Sequence, residues 1–264
     1  MQSNDTLRKL RDHQLIFAIT SGRSGTKLMA HILEKCCDIQ AEHEAMPRAN
    51  FVLRSVQAHP DAAKWWLSSE KLPAIASRLD ERPYGDISHL YCKGFIEPIL
   101  QMGMKPDFIV LTRPAREVAS SLYAINCIPK RSPSGQLVLL SPDDPGVLAP
   151  DDWQRWDDYQ LCYWYAKEIE RLQQHYSMTL PAAGCRVFEI SMKELTDEAA
   201  ILQLIRFLKR DPEARFDVAT YRDIISVNQN PKAKLSAELR ADLSTLDEKE
   251  EDVDATLARL ARAS

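Results

Sequence analysis

Ile16-Phe17-Ala18-Ile19-Thr20-Ser21-Gly22-Arg23-Ser24-Gly25-Thr26-Lys27-Leu28-Met29 reads as a short strand that breaks into a small loop and turns at once into a helical pattern. Junctions of this kind gather backbone N–H groups and a helix N-terminus around an anion. Gly22 and Gly25 let the backbone approach a ligand closely and adopt torsions that a Cβ hinders. Ser24 and Thr26 add hydroxyl donors, and Arg23 and Lys27 add charge. The whole loop, Ser21 to Lys27, suits phosphate or a group like it.

Working outward, apolar runs at about 15–20, 38–42, 89–93, 107–112 and 186–190 read as strands, with helical patterns between most of them. Strands alternating with helices predict an α/β fold, a three-layer sandwich around a central parallel sheet. Ligands of such sheets bind beyond the carboxyl ends of the strands, where the loop stands. The chain has 264 residues, enough for one large domain over 1–264, with 1–13 as an N-terminal extension.

Composition narrows the function classes. A hydrophobic share of 45% and a charged share of 27% are ordinary for a globular protein. Net charge is −4 without a strongly basic block, so nucleic acid is not the expected partner. Residues 1–14 have no apolar stretch of a secretory signal, and no run approaches the length of an integral membrane span. The six cysteines show no C-x-x-C spacing and sit in apolar runs, which reads as reduced thiols in a cytoplasmic protein. The six histidines are scattered without ligand spacing, so no metal is expected.

The loop differs from a Walker A loop, which places Lys directly after its second Gly and a Mg²⁺-holding hydroxyl next. Here Thr26 follows Gly25, Lys27 comes one place late, and Leu28 stands where the hydroxyl belongs. A second motif begins at the buried run Asp107-Phe108-Ile109-Val110-Leu111-Thr112. It continues Arg113-Pro114-Ala115-Arg116-Glu117-Val118-Ala119-Ser120-Ser121. Arg113 offers a planar fork suited to phosphate, and Ser121 falls about two turns into the following helix. Taken singly, Arg113 is a solvated strand-end charge and Ser121 a helix-surface hydroxyl.

Together these motifs resemble the P-loop-like sulfotransferases that use 3′-phosphoadenosine 5′-phosphosulfate (PAPS), in particular the bacterial-type branch. Their 5′-phosphosulfate loop reads roughly [K/R]-S-G-T, which Arg23-Ser24-Gly25-Thr26 matches. Their 3′-phosphate is gripped by a strand-end Arg and a Ser eight positions later, the spacing of Arg113 and Ser121. The family pattern puts a residue between Arg and Pro, whereas Pro114 follows Arg113 directly. A softer likeness covers Cys185 to Leu208, where Met192 stands in place of the Tyr that often approaches the adenine. The family's Gly-rich basic segment is missing, and residues 228–234 form the one obvious basic loop in that place.

The resemblance implies sulfuryl transfer from PAPS as co-substrate, without metal, to a hydroxyl or an amine. It assigns Ser21, Gly22, Arg23, Ser24, Gly25, Thr26, Lys27, Arg113 and Ser121 to the nucleotide. Arg23 also meets charge growing on the departing phosphate oxygen. Many family members carry their base as the His of K-x-H, but the nearest counterpart here, Lys93-Gly94-Phe95, ends in Phe. Other branches place a Glu just after the second strand, which selects Glu44 as catalytic base with His43 second. A carboxylate can serve as base there if partial burial raises its pKa toward the working pH. Lys93 is either a support for the sulfuryl oxygens or an exposed strand-end charge.

The acceptor is open among small-molecule, lipid, carbohydrate and peptide groups. The readings held beside the sulfotransferase are a P-loop small-molecule kinase and a non-catalytic nucleotide-binding module. Residues 46–80 and 126–152 look like insertions over the ligand edge, the latter a lid or acceptor loop. Asp151 or Asp152 is expected to cap a helix over 153–175, whose aromatic stripe serves core packing first and an acceptor wall second. The tail, 235–264, reads as amphipathic helix lying on the domain, with a homodimer contact as its second reading.

Overall fold

A computed structural model of the chain describes residues 2–59, 61–227 and 246–263, with side chains from residue 5 onward. Its centre is a five-stranded, all-parallel sheet ordered β2-β3-β1-β4-β5. The strands are β1 (Leu15–Ile19), β2 (Gln40–His43), β3 (Tyr84–Ile87), β4 (Asp107–Thr112) and β5 (Arg186–Ser191). Helices flank the sheet, giving the three-layer α/β sandwich expected from the alternation of elements. The basic loop at 228–234 and the first part of the tail lie outside the described residues.

The side chains of β1 divide its environment by their period of two. Ile16 and Ala18 join a core built with α2 (Thr26–Cys36), α10 (Glu198–Lys209) and α11 (Val218–Ser226). Phe17 points to the other face, where its ring lies 4.3 Å from Tyr91 and 6.3 Å from Phe108. With all five β1 residues buried, the strand is apolar throughout, as a central parallel strand must be. Register between β4 and β5 is held at their start, where Arg186 donates to both carboxylate oxygens of buried Asp107 at 2.9 and 2.7 Å.

The third strand departs from the sequence reading. The apolar run at 89–93 is not a strand; β3 is Tyr84-Gly85-Asp86-Ile87, and residues 89–93 are turns behind it. A strand with Gly and Asp at its centre looks unfavourable in isolation. Gly85 leaves space filled by Ala41 and Ile16. Asp86, fully buried, is neutralised by Lys71, whose Nζ lies 2.6 Å away. Leu90, Tyr91 and Cys92 are buried without belonging to the sheet.

The chain divides into two compact units, Met1–Arg113 with Leu172–Gln229 and Pro114–Arg171 with Asn230–Ser264. The first holds the sheet. It also holds α1 (Gln2–Asp12), α3 (Leu53–Ala58), α4 (Asp61–Trp66), α5 (Leu72–Ala76) and α6 (Ile96–Gln101). A π-helical turn, Leu67–Lys71, joins α4 to α5 and brings Lys71 inward.

The second unit holds α7 (Ala115–Ala124), α8 (Pro133–Val138), the start of α9 (Asp158–Ala182) and α12 (Leu246–Ala263). The helix expected from residue 153 starts at Asp158 instead, because Asp157 rather than Asp152 forms its cap. Gln160 N–H donates to Asp157 Oδ1 at 2.8 Å and Gln160 Oε1 accepts from Asp157 N–H at 3.0 Å. That reciprocal box satisfies two otherwise orphaned donors. Residues 153–155 form a separate 3₁₀ turn. The stripe Trp156, Tyr159, Tyr163 and Trp164 is buried. α12 is tied down where Arg116 reaches Glu250 and where the Tyr163 hydroxyl donates to Asp254 at 3.1 Å. Within 126–152, α8 is accompanied by buried Cys127, Ile128, Leu139 and Leu140. Among the described residues no helix is long and apolar enough to cross a membrane.

Candidate anion-binding and catalytic site

Between β1 and α2 the chain makes three left-handed excursions: Gly22 at φ 76°, Arg23 at φ 55° and Gly25 at φ 91°. Left-handed residues mixed with right-handed ones in a short loop are a backbone pattern that can gather N–H groups around an anion. Gly25 occupies the N-cap position of α2 with no side-chain cap, and the first helical turn carries no acid. Those two features leave the helix start favourable to negative charge. Under the loop, a Cβ on Gly25 would lie 3.0 Å from Leu195 and 3.3 Å from Met192. The Met192 side chain therefore packs against the 21–26 loop.

The loop hydroxyls have protein partners. Ser24 is fully buried and its Oγ is hydrogen-bonded to Thr20 Oγ1, which bonds Leu111 O at 2.8 Å. Ser21 Oγ donates to Gly22 O at 2.8 Å, and Thr26 Oγ1 lies 3.1 Å from His43 Nε2. Gln173, from the second half of α9, donates to Ile19 O and Leu111 O at 3.1 and 2.9 Å, locking the loop's entry to the neighbouring strand. Arg23 and Lys27 are exposed.

Arg113 directly follows β4, and its guanidinium donates to the carbonyl oxygen of Arg23. The motif's lead residue and the 21–26 loop are thus in direct contact at the carboxyl end of the sheet. Pro114 takes the N-cap position of α7 with extended torsions, φ −50° and ψ 133°, so its place directly after Arg113 opens the helix without displacing the Arg from the strand end. Ser121 is half-buried on α7 in the second unit.

At the end of β2, Glu44 adopts a left-handed φ of 51° and its N–H donates to Ile87 O. Its Oε1 is 3.4 Å from His89 Nε2 and 4.0 Å from His43 Nε2. Behind His89, the Lys93 ammonium is 2.9 Å from His89 Nδ1. Since ammonium can only donate, Nδ1 accepts from Lys93 and Nε2–H donates to Glu44. Lys93 is 1% exposed, so it is not the exposed strand-end charge. Phe95 is fully buried.

The electrostatics leave one condition of the sequence reading unmet. The hydrogen bond from His89 outweighs the upward push of burial on Glu44 and holds its pKa down to about 2. His89 is lowered to about 4, first by burial and then by the Lys93 charge, and so stays neutral at pH 7. Burial likewise lowers His43. The site therefore presents an ionised carboxylate between two neutral imidazoles.

A second buried cluster supports Glu44 from below. Asp86 Oδ1 accepts from Ala45 N–H at 3.1 Å, and Oδ2 accepts from Lys71 and from the Tyr91 hydroxyl at 2.6 and 2.7 Å. Lys71 also donates to Ala45 O and, at 3.2 Å, to Pro47 O. His89, Lys71 and Asp86 escaped the sequence reading because it assigned 89–93 to a strand and 46–80 to an insertion. The one local signal was a charged residue inside an otherwise apolar stretch. Among the described residues no group of three His, Cys, Asp or Glu is placed to hold a metal ion. No protein-family model and no curated protein matches the chain.

Proposed function

We propose that the protein is a sulfotransferase that moves the sulfuryl group of PAPS to a hydroxyl, or an amine, of an acceptor. The observation that supports this best is the contact between Arg113 and the Arg23 carbonyl. It joins the two anion-recognising motifs of the resemblance at the carboxyl end of the sheet, with Glu44 and His43 flanking the loop.

In this reading the backbone N–H groups of residues 21–26 receive the 5′-phosphosulfate and Arg113 recognises the 3′-phosphate, a role the resemblance extends to Ser121. Arg23, exposed on the loop, meets the negative charge that builds on the departing oxygen. Such charge stabilisation acts in the transition state more than in the ground state. Glu44 takes the acceptor's proton. A resting pKa of about 2 makes it a weak base, but a sulfate arriving nearby raises its proton affinity by like-charge repulsion. His43, neutral and hydrogen-bonded to Thr26, is the second candidate. The acceptor is a small-molecule, lipid, carbohydrate or peptide group. Six buried cysteines without disulfides fit a cytoplasmic setting.

Calorimetry with 3′-phosphoadenosine 5′-phosphate and with ATP plus Mg²⁺ tests the nucleotide, and turnover of labelled PAPS tests the reaction. Tight, metal-independent binding of the bisphosphate together with turnover supports the proposal. Preference for ATP with Mg²⁺ would transfer it to a small-molecule kinase, and binding without turnover to a nucleotide-binding module.

A further inference from the structure

We infer that His89 is the positioning residue for Glu44, itself oriented by Lys93, in one hydrogen-bonded line that runs beneath the anion loop. The inference rests on the proposed role of Glu44 and goes beyond it by assigning two residues that the sequence motifs leave out.

Three geometric facts carry it. The distances, 2.9 Å from Lys93 to Nδ1 and 3.4 Å from Nε2 to Glu44, place donors and acceptors in a single consistent order. The burial of Lys93 and His89, 1% and 9% exposed, restricts how either side chain can turn away. Gly22 also bounds the ring, since a Cβ there would stand 3.1 Å from His89 Cγ and 3.2 Å from Nδ1. An imidazole held on three sides presents its Nε2–H in one direction, toward Glu44. Glu44 needs such a tether because its left-handed backbone is a conformation that non-glycine residues adopt at a cost.

The charges around the line favour one protonation state. Lys93, Glu44 and His43 act on the imidazole, while His89, His43 and Arg48 act on the carboxylate. Lys93 opposes an imidazolium, so His89 remains a neutral donor rather than competing with Glu44 for the acceptor's proton. This is the logic by which a third group sets the tautomer of a catalytic pair.

The test combines a structural and a kinetic readout. In ¹⁵N-histidine NMR spectra, His89 is expected as the Nε2–H tautomer, uncharged through pH 5. Lys93→Met should let it protonate at higher pH, and Glu44→Gln should shift its Nε2 resonance. In kinetics, His89→Ala should lower kcat by about 10²-fold, the scale of a misplaced reacting group, with the KM for PAPS changed less than about twofold. His89→Gln, which keeps an amide donor near the Nε2 position, should recover most of that loss. Binding of 3′-phosphoadenosine 5′-phosphate by each variant checks that it is folded. An Nδ1–H tautomer, or a ring indifferent to Glu44→Gln, overturns the inference. So does a dead His89→Ala beside an active Glu44→Gln, which would make His89 the base. Absence of PAPS turnover in the wild type, with the tautomer as expected, would remove the sulfotransferase reading and leave the placement of His89 standing.

Discussion

Gly22 and His89 face each other at the end of the sheet: the loop backbone turns at φ 76° beside the imidazole, where a Cβ would stand only 3.1 Å from the ring. Residues 67 positions apart in sequence thus share one small volume, and a change at either is expected to reach both the 21–26 loop and Glu44. Gly22→Ala combines left-handed strain, about 1–2 kcal/mol, with a contact that displaces the ring. It should lower thermal stability and weaken binding of 3′-phosphoadenosine 5′-phosphate, both readable in one melting series with and without nucleotide. Unchanged melting and binding would refute the contact.

Arg113 is expected to confer selectivity for the 3′-phosphate. The wild type should bind 3′-phosphoadenosine 5′-phosphate far more tightly than AMP. Arg113→Ala should lose about 1.5–3 kcal/mol of that difference, the worth of a hydrogen bond to a charged group. Calorimetry on both nucleotides decides it, and equal wild-type affinities would remove the assignment.

Arg23 and Glu44 should separate binding from turnover. Arg23→Ala is expected to reduce kcat much more than nucleotide affinity, since its partner is charge that develops during transfer. Glu44→Gln should leave nucleotide binding intact while turnover falls about 10²–10⁴-fold. His43→Ala is the companion measurement, and an inactive His43→Ala beside a near-normal Glu44→Gln would move the base to His43.

Stability should depend on pH through the same residues. His89 titrates at about 4 in the fold against an ordinary 6.5, so between those values the unfolded chain holds more protons. Stability therefore falls as pH drops from about 6.5 toward 4, and His89→Gln should flatten that slope in urea unfolding at pH 7 and pH 5. Glu44 works in the lower window. Its contribution is complete above its ordinary 4.5 and is lost as pH falls through about 2.

The buried pair of Lys71 and Asp86 should be sensitive to loss of one partner. Lys71→Met leaves Asp86 as an uncompensated interior charge, for which about 3–5 kcal/mol is expected. The double variant Lys71→Met with Asp86→Leu should recover part of that loss in denaturant unfolding. A single variant as stable as the wild type would show the pair to be dispensable.

The sequence by itself determined the α/β class, the strand–loop–helix over 16–29 and the place of β4 and β5. In each case an apolar run and its neighbouring breakers act locally: Ile16 to Ile19 can be buried on both faces only in the interior of a sheet, and Gly22 and Gly25 end the strand wherever it lies. Arg113 was legible for the same reason, as a charge at the end of a run. Tertiary structure alone decided β3, the start of α9 and the line from Lys93 through His89 to Glu44. Asp86 belongs in a strand because Lys71 arrives from a π-helical turn 15 residues earlier in the chain. Glu44 sits well below its ordinary pKa because His89, 45 residues later, donates to it. Pattern and propensity describe neighbours along the chain, whereas the charge state of a buried group depends on which distant side chain folding brings within hydrogen-bond reach.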